Sequence, residues 1–196
     1  MRRTLLSIGS ALVFLAATAF AQSANSNQAT LNQQDREFVN TAAKANRGEI
    51  EMGKLAQQKA SNDAVKQFAT TIVNDHTNAG QQLKSWASQN NITLPTGLTS
   101  EDSATKSSLS SVSGSQFDQK YIQSQLQDHK KAIALFEKQA SEGHNPQLKA
   151  FAQKTLPVLQ DHVRIAEDLA GKMGMSGKMG LTNESKAVSS GMQPPK

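Results

Sequence analysis

The dipeptide Asp-His occurs three times, at Asp75-His76, Asp128-His129 and Asp161-His162, in a chain that holds only four histidines. The fourth, His144, sits in a Gly/Asn/Pro turn. Imidazole is a ligand for transition metals, and rings repeated at one depth of a helical bundle are the raw material of a metal site. Glu49 joins them as an acidic residue on an otherwise apolar stripe. A buried carboxylate is costly unless paired or bound to a metal, so Glu49, His76, His129 and His162 form the candidate ligand set. Zn, Fe, Cu, Ni and Mn all accept such nitrogen and oxygen donors, so the set points to one divalent transition metal without choosing it. Each Asp of a pair lies about 100° round the helix from its His. It is placed to act as a further ligand or as the acceptor that orients a neighbouring imidazole. The competing reading is metal-free: His–Glu hydrogen bonds that fix helix register, with the Asp residues solvated.

Four stretches must position these groups. Residues 32–59 carry the stripe Phe38, Ala42, Ala45, Glu49, Met52, Ala56, and residues 62–89 carry Val65, Phe68, Ala69, Ile72, His76, Ala79, Leu83. A third helix beginning near residue 116 carries Ile122, Gln125, His129, Ile133, Phe136. A fourth, from near residue 146, carries Leu148, Ala152, Thr155, Leu159, His162, Ala166, Leu169. All use the three-and-four spacing of a buried helix face. Counted from the connecting turns, the four polar groups lie 12 to 17 residues deep, a spread of roughly 5–8 Å at about 1.5 Å per residue. They should therefore meet near mid-bundle.

Asn145-Pro146 reads as a cap followed by Pro at the first helical position. Ser115 with Asp118 resembles a capping box, and Gly143 and Gly171 suit helix stops. Pro157 should kink the last helix. Residues 90–115, rich in Ser, Thr and Gly, read as a link long enough to travel back along the bundle. Leu55–Ser61 matches Leu135–Ser141 at an offset of 80, and Val65–Ala69 matches Leu148–Ala152 at 83. The two hairpins thus look like copies with a longer second turn.

The ends carry the charge. Arg2 and Arg3 precede a short apolar run and Ala19-Phe20-Ala21, so residues 1–21 read as a secretory signal. Residues 22–31 read as a flexible leader, 32–170 as the bundle domain and 171–196 as a disordered Gly/Met/Ser/Lys tail. The net charge of +5 lies in the signal and tail, which leaves residues 22–170 neutral. With one Trp and one Tyr, a neutral body is a poor nucleic-acid binder. No segment after the signal is long and apolar enough for a membrane span, and export places the chain in the periplasm or cell envelope. The oligomeric state and any envelope partner are left open. With no cysteine, thiolate ligands, iron–sulfur clusters and covalent Cys-x-x-Cys-His haem are excluded. The tail's Met173, Met175 and Met179 could hold Cu(I). No nucleophile arrangement or phosphate loop stands out, which leans against an enzyme.

The runs Phe38, Glu49-Ile50-Glu51-Met52-Gly53-Lys54-Leu55-Ala56, Val65-Lys66-Gln67-Phe68-Ala69, Asp75-His76, Phe117-Asp118-Gln119-Lys120-Tyr121, His129, Leu156-Pro157 and His162 resemble the exported bacterial proteins grouped as domain-of-unknown-function family 4142. Some of those proteins carry outer-membrane labels. The resemblance covers residues 32–170 and implies an all-α, ferritin-like four-helix bundle with a long crossover between its second and third helices. The ferritin di-iron pattern needs Glu-x-x-His on two helices. Here Val73 and Leu159 stand three before His76 and His162. The expectation is an exported bundle with a single metal ion, for periplasmic metal handling or stress protection, or else a metal-free envelope module.

Overall fold

The computed structural model describes residues 31–175. The signal, all of the leader but Leu31, Met179 and nearly all of the tail lie outside the described residues. Five helices follow in order: α1 (Gln33–Lys59), α2 (Asp63–Gln89), α3 (Ser100–Ser110), α4 (Gly114–Glu142) and α5 (Pro146–Lys172). The four long helices are those expected, each burying its apolar stripe. Asn32, Asn62 and Asn145 cap α1, α2 and α5 with their side-chain oxygens. α5 starts at Pro146, runs through Pro157 and ends at Lys172, so Gly171 lies inside it. Gly174, at φ +70, supplies the left-handed residue beyond the end. At Gly143 the constraint is space: a Cβ there would lie 2.5 Å from the Gln139 carbonyl.

The crossover is as expected, but it contains a helix that the Ser/Thr-rich composition hid. α3 begins with a Thr99–Asp102 capping box and buries only Leu109. It packs against α1 and α4, and Lys106–Glu51 and Lys131–Glu101 ion pairs tie it there. Because the link runs back along the bundle, α2 and α4 point the same way. α1 pairs with α2 and α4, and α5 with α4 and α2.

One offset of 83 residues relates the halves. α1 ends at Lys59 and α4 at Glu142; α2 starts at Asp63 and α5 at Pro146; α2 ends at Gln89 and α5 at Lys172. Both hairpin turns therefore have equal length, and the 80-residue match is a local likeness rather than the structural register. Two buried carboxylates obey the same offset. Asp118 on α4 accepts hydrogen bonds from Ser61 N, Ser61 Oγ and Asn62 N in the first turn. Asp35 on α1 accepts from His144 N and Asn145 N in the second turn, and from Gln139 Nε2. Asp118 is thus a cap, but for the start of α2 rather than for its own helix. α4 is capped at Ser113 without a side-chain bond.

The core divides in two. One half gathers Met52, Phe68, Ile72, Phe117, Tyr121, Ile122 and Leu169. Met175, which the sequence offered as a soft-metal ligand, is buried in this half as packing. The other half gathers Phe38, Leu83, Trp86, Phe136, Leu148 and Leu159, with Phe38 set edge-on to Phe136 at 5.0 Å. Between them lies a layer of buried polar groups.

Candidate metal centre

His76 from α2, His129 from α4 and His162 from α5 meet in this layer, with one nitrogen from each within 4.8 Å of the others. All three rings are buried, His129 and His162 to 2% exposure or less. His129 is central: its Nε2 lies 3.4 Å from His76 Nε2 and 3.0 Å from His162 Nδ1.

The partners of the outward nitrogens bear on the tautomers. His129 Nδ1 lies 3.0 Å from the Gln125 carbonyl oxygen, an obligate acceptor. His162 Nε2 lies 3.0 Å from Asp75 Oδ2, and His76 Nδ1 lies 3.1 Å from Asn46 Oδ1. With the rings neutral, these partners favour an N–H on each outward nitrogen. The inward nitrogen, which faces the other two rings, holds a bare lone pair.

Glu49 is buried with the histidines but stands apart from the point where these nitrogens converge. Its Oε1 lies 3.8 Å from His129 Nδ1, on the outer edge of the ring, and its Oε2 accepts from Gln125 Nε2 at 2.6 Å. Three of the four expected ligands are thus brought together and the fourth faces the back of one of them. The three Asp-His aspartates part company. Asp75 holds His162, Asp128 lies 3.6 Å from Lys131 beside the layer, and Asp161 pairs with Arg164 on the surface. Asn46 was not anticipated. It lies one turn before Glu49 on the same stripe, and a polar residue there was the available signal. His144 is the expected turn residue and receives a hydrogen bond from Asn32.

Burial sets the protonation. It lowers His129 from 6.5 to about 3, with the neighbouring His162 adding to the effect. It also lowers His76 well below its ordinary value, reinforced by His129 and His162. Glu49 is pushed the other way, from 4.5 to about 8, by the same desolvation, which its hydrogen bond from Gln125 only partly offsets. In metal-free protein the unfolded chain thus takes up protons that native His76 and His129 refuse as pH falls from 6.5 towards 3, so stability drops on the acid side. Native Glu49 keeps a proton that the unfolded chain has lost between 4.5 and 8, so stability drops as pH rises across that window. Two histidines outweigh one glutamate below 6.5, so melting temperature measured in chelator should peak near pH 6.5, and Glu49→Gln should flatten the alkaline limb. A profile without an alkaline limb in the parent protein would contradict this.

Gly80 makes room for one of the orienting groups. A Cβ there would lie 2.6 Å from Asn46 Nδ2, the movable end of a side chain. Gly80→Ala should therefore leave the bundle folded and swing Asn46 away from His76, and if the three imidazoles hold an ion it should weaken that binding by roughly 10–100-fold, as loss of an orienting partner does. Isothermal titration against the parent protein measures it, and equal affinity would refute it.

A cavity of about 470 Å³ reaches the layer and is lined by all three imidazoles together with Glu49, Asp75, Leu83, Phe136 and Phe151. No helix among the described residues is long and apolar enough to cross a membrane.

Two solved structures share the fold. A DUF305 fragment from Deinococcus radiodurans superposes with a TM-score of 0.65 at 13% identity, covering 72% of this chain and 98% of that one. A DUF305 protein from Streptomyces coelicolor, provisionally described as secreted, gives 0.64 at 15% identity, covering 72% and 92%. At such identities the likeness is of fold alone. No curated protein matches the sequence. Residues 20–169 match the family model described as Domain of unknown function (DUF4142).

Proposed function

The chain belongs to the DUF4142 family, which is defined without an activity, and from its own chemistry we propose that it is an exported bundle protein holding one divalent transition-metal ion between His76 Nε2, His129 Nε2 and His162 Nδ1. The carrying observation is the convergence of three bare lone pairs. At 3.0 and 3.4 Å they repel one another unless a cation lies among them. A tetrahedral ion with bonds of 2.0–2.1 Å sets its nitrogen ligands about 3.3 Å apart, close to two of the three separations here, the third lying within 4.8 Å. A proton is the poorer cation here, because burial resists an imidazolium at His76 and His129. Zn, Fe, Cu, Ni and Mn all suit three imidazoles. The Gln125 carbonyl then acts from behind as the acceptor that orients the His129 ring, while Glu49, held protonated by burial, lies 3.8 Å from the same ring edge.

The role follows from burial and from the export reading of residues 1–21. A buried three-imidazole site would hold a reactive ion away from bulk solution, which suits metal handling or stress protection in the periplasm or cell envelope. The Streptomyces neighbour's description agrees with export. The contact of 3.0 Å between His129 and His162 favours one other reading, in which a shared proton closes it and the layer only fixes helix register in a metal-free envelope module.

Elemental mass spectrometry on protein exported to the periplasm separates the two, run beside a His76→Ala/His129→Ala double variant. Near-stoichiometric metal in the parent, lost in the variant, is expected. No metal in either after Zn, Cu, Fe, Mn and Ni have been offered would overturn the proposal and leave the hydrogen-bonded module.

A further inference from the structure

Three protein nitrogens leave a tetrahedral ion one position short, the arrangement of sites that take up an exchangeable ligand rather than of closed structural ones. The cavity beside the imidazoles is where that ligand would come from. We propose that it binds a small organic monoanion whose carboxylate or phenolate head completes the metal's coordination and whose apolar body fills the cavity. This rests on the metal reading above.

The walls carry the argument for an apolar body. Leu83, Phe136, Phe151 and Leu159 face the space, beside polar groups that include the three imidazoles. Its volume of about 470 Å³ falls within the roughly 300–1,000 Å³ of small-molecule sites. Small residues keep it open: Ala42, Ala45, Ala79 and Ala132 all line it, one or two from each of three helices. The other half of the core fills its space with Met52, Ile72 and Tyr121. An apolar void costs stability in a bundle that holds only a structural network, since larger side chains would fill it.

Charge selects a single anion. Three neutral imidazoles leave the ion's two positive charges to be balanced, and Asp75, hydrogen-bonded to His162, supplies one negative charge. One anionic head supplies the other. Lys44, Lys131 and Lys154 also line the cavity, together with Glu101, Asp102 and Asp128, so the entrance carries both signs and the selection is made at the ion.

The test uses the full mature chain loaded with Co²⁺, whose visible bands report both occupancy and coordination. Hexanoate should perturb those bands with a half-saturation at least tenfold below that of acetate. Four extra methylenes, at about fourfold each when fully buried, allow up to roughly 200-fold. Ala45→Phe, and separately Val158→Trp at the exposed rim, should retain the cobalt bands and lose the preference for hexanoate. Cobalt bands that respond equally to both anions, or to neither, would overturn this inference and leave the metal site standing. Absence of cobalt bands in the parent would overturn the metal reading and this one with it.

Discussion

Stripping the metal from loaded protein with a chelator should lower its melting temperature by roughly 8–16 °C. An ion that binds the native state at about a thousand times its dissociation constant stabilises by about 4 kcal/mol. A domain of this size shifts by about 2–4 °C per kcal/mol. The site gives the ion little to hold in the unfolded chain, because its three nitrogens come from α2, α4 and α5 and converge only when the crossover is complete. His129→Ala should abolish the chelator's effect, since that ring faces both of the others. Differential scanning calorimetry with and without chelator measures both quantities. Superimposable traces for metal-supplied parent protein would sink the proposal.

Asp118→Ala should cost the fold about 3–5 kcal/mol. The carboxylate is buried and takes three hydrogen bonds from the α1–α2 turn. Removing it leaves two main-chain N–H groups and a hydroxyl without acceptors, at about 1–3 kcal/mol for each that water cannot reach. Asp35→Ala should behave alike, because Asp35 performs the same service for the α4–α5 turn. Asp161→Ala is the control: its partner Arg164 is exposed, and such pairs contribute about 0–1 kcal/mol. Denaturant midpoints should fall for the first two with little change in slope. A loss below about 1 kcal/mol at Asp118 would show that water replaces the carboxylate and that the hairpins are not joined this way.

The parts of this molecule legible from sequence are those governed by helical period. His76, His129 and His162 fall on apolar stripes at matching depth, and period plus rise is enough to bring them together. Glu49 obeys the same rule and yet faces the wrong edge of His129, because period fixes a face and a level but not a side-chain torsion. Asn46 and the Gln125 carbonyl, which orient two of the three rings, belong to contacts that no spacing rule describes. Asp118 misled for a related reason. Its neighbours in sequence suggest a local cap, while its partners lie 56 and 57 residues away. α3 went unread because a single buried leucine leaves almost no periodic signal. Its Thr99–Asp102 box was the clue.

The 83-residue repeat also bears on symmetry. A bundle made of two like hairpins has the arrangement that one hairpin would make by pairing with a second copy of itself. In such a self-pair every ligand appears twice. Here the counterpart of His129 is Asn46, that of His76 is Leu159 and that of His162 is Ala79. One imidazole thus comes from the first half and two from the second, an odd set that no symmetric pair can furnish. A three-imidazole cluster of this kind therefore depends on the differences between the two halves and not on the symmetry they share.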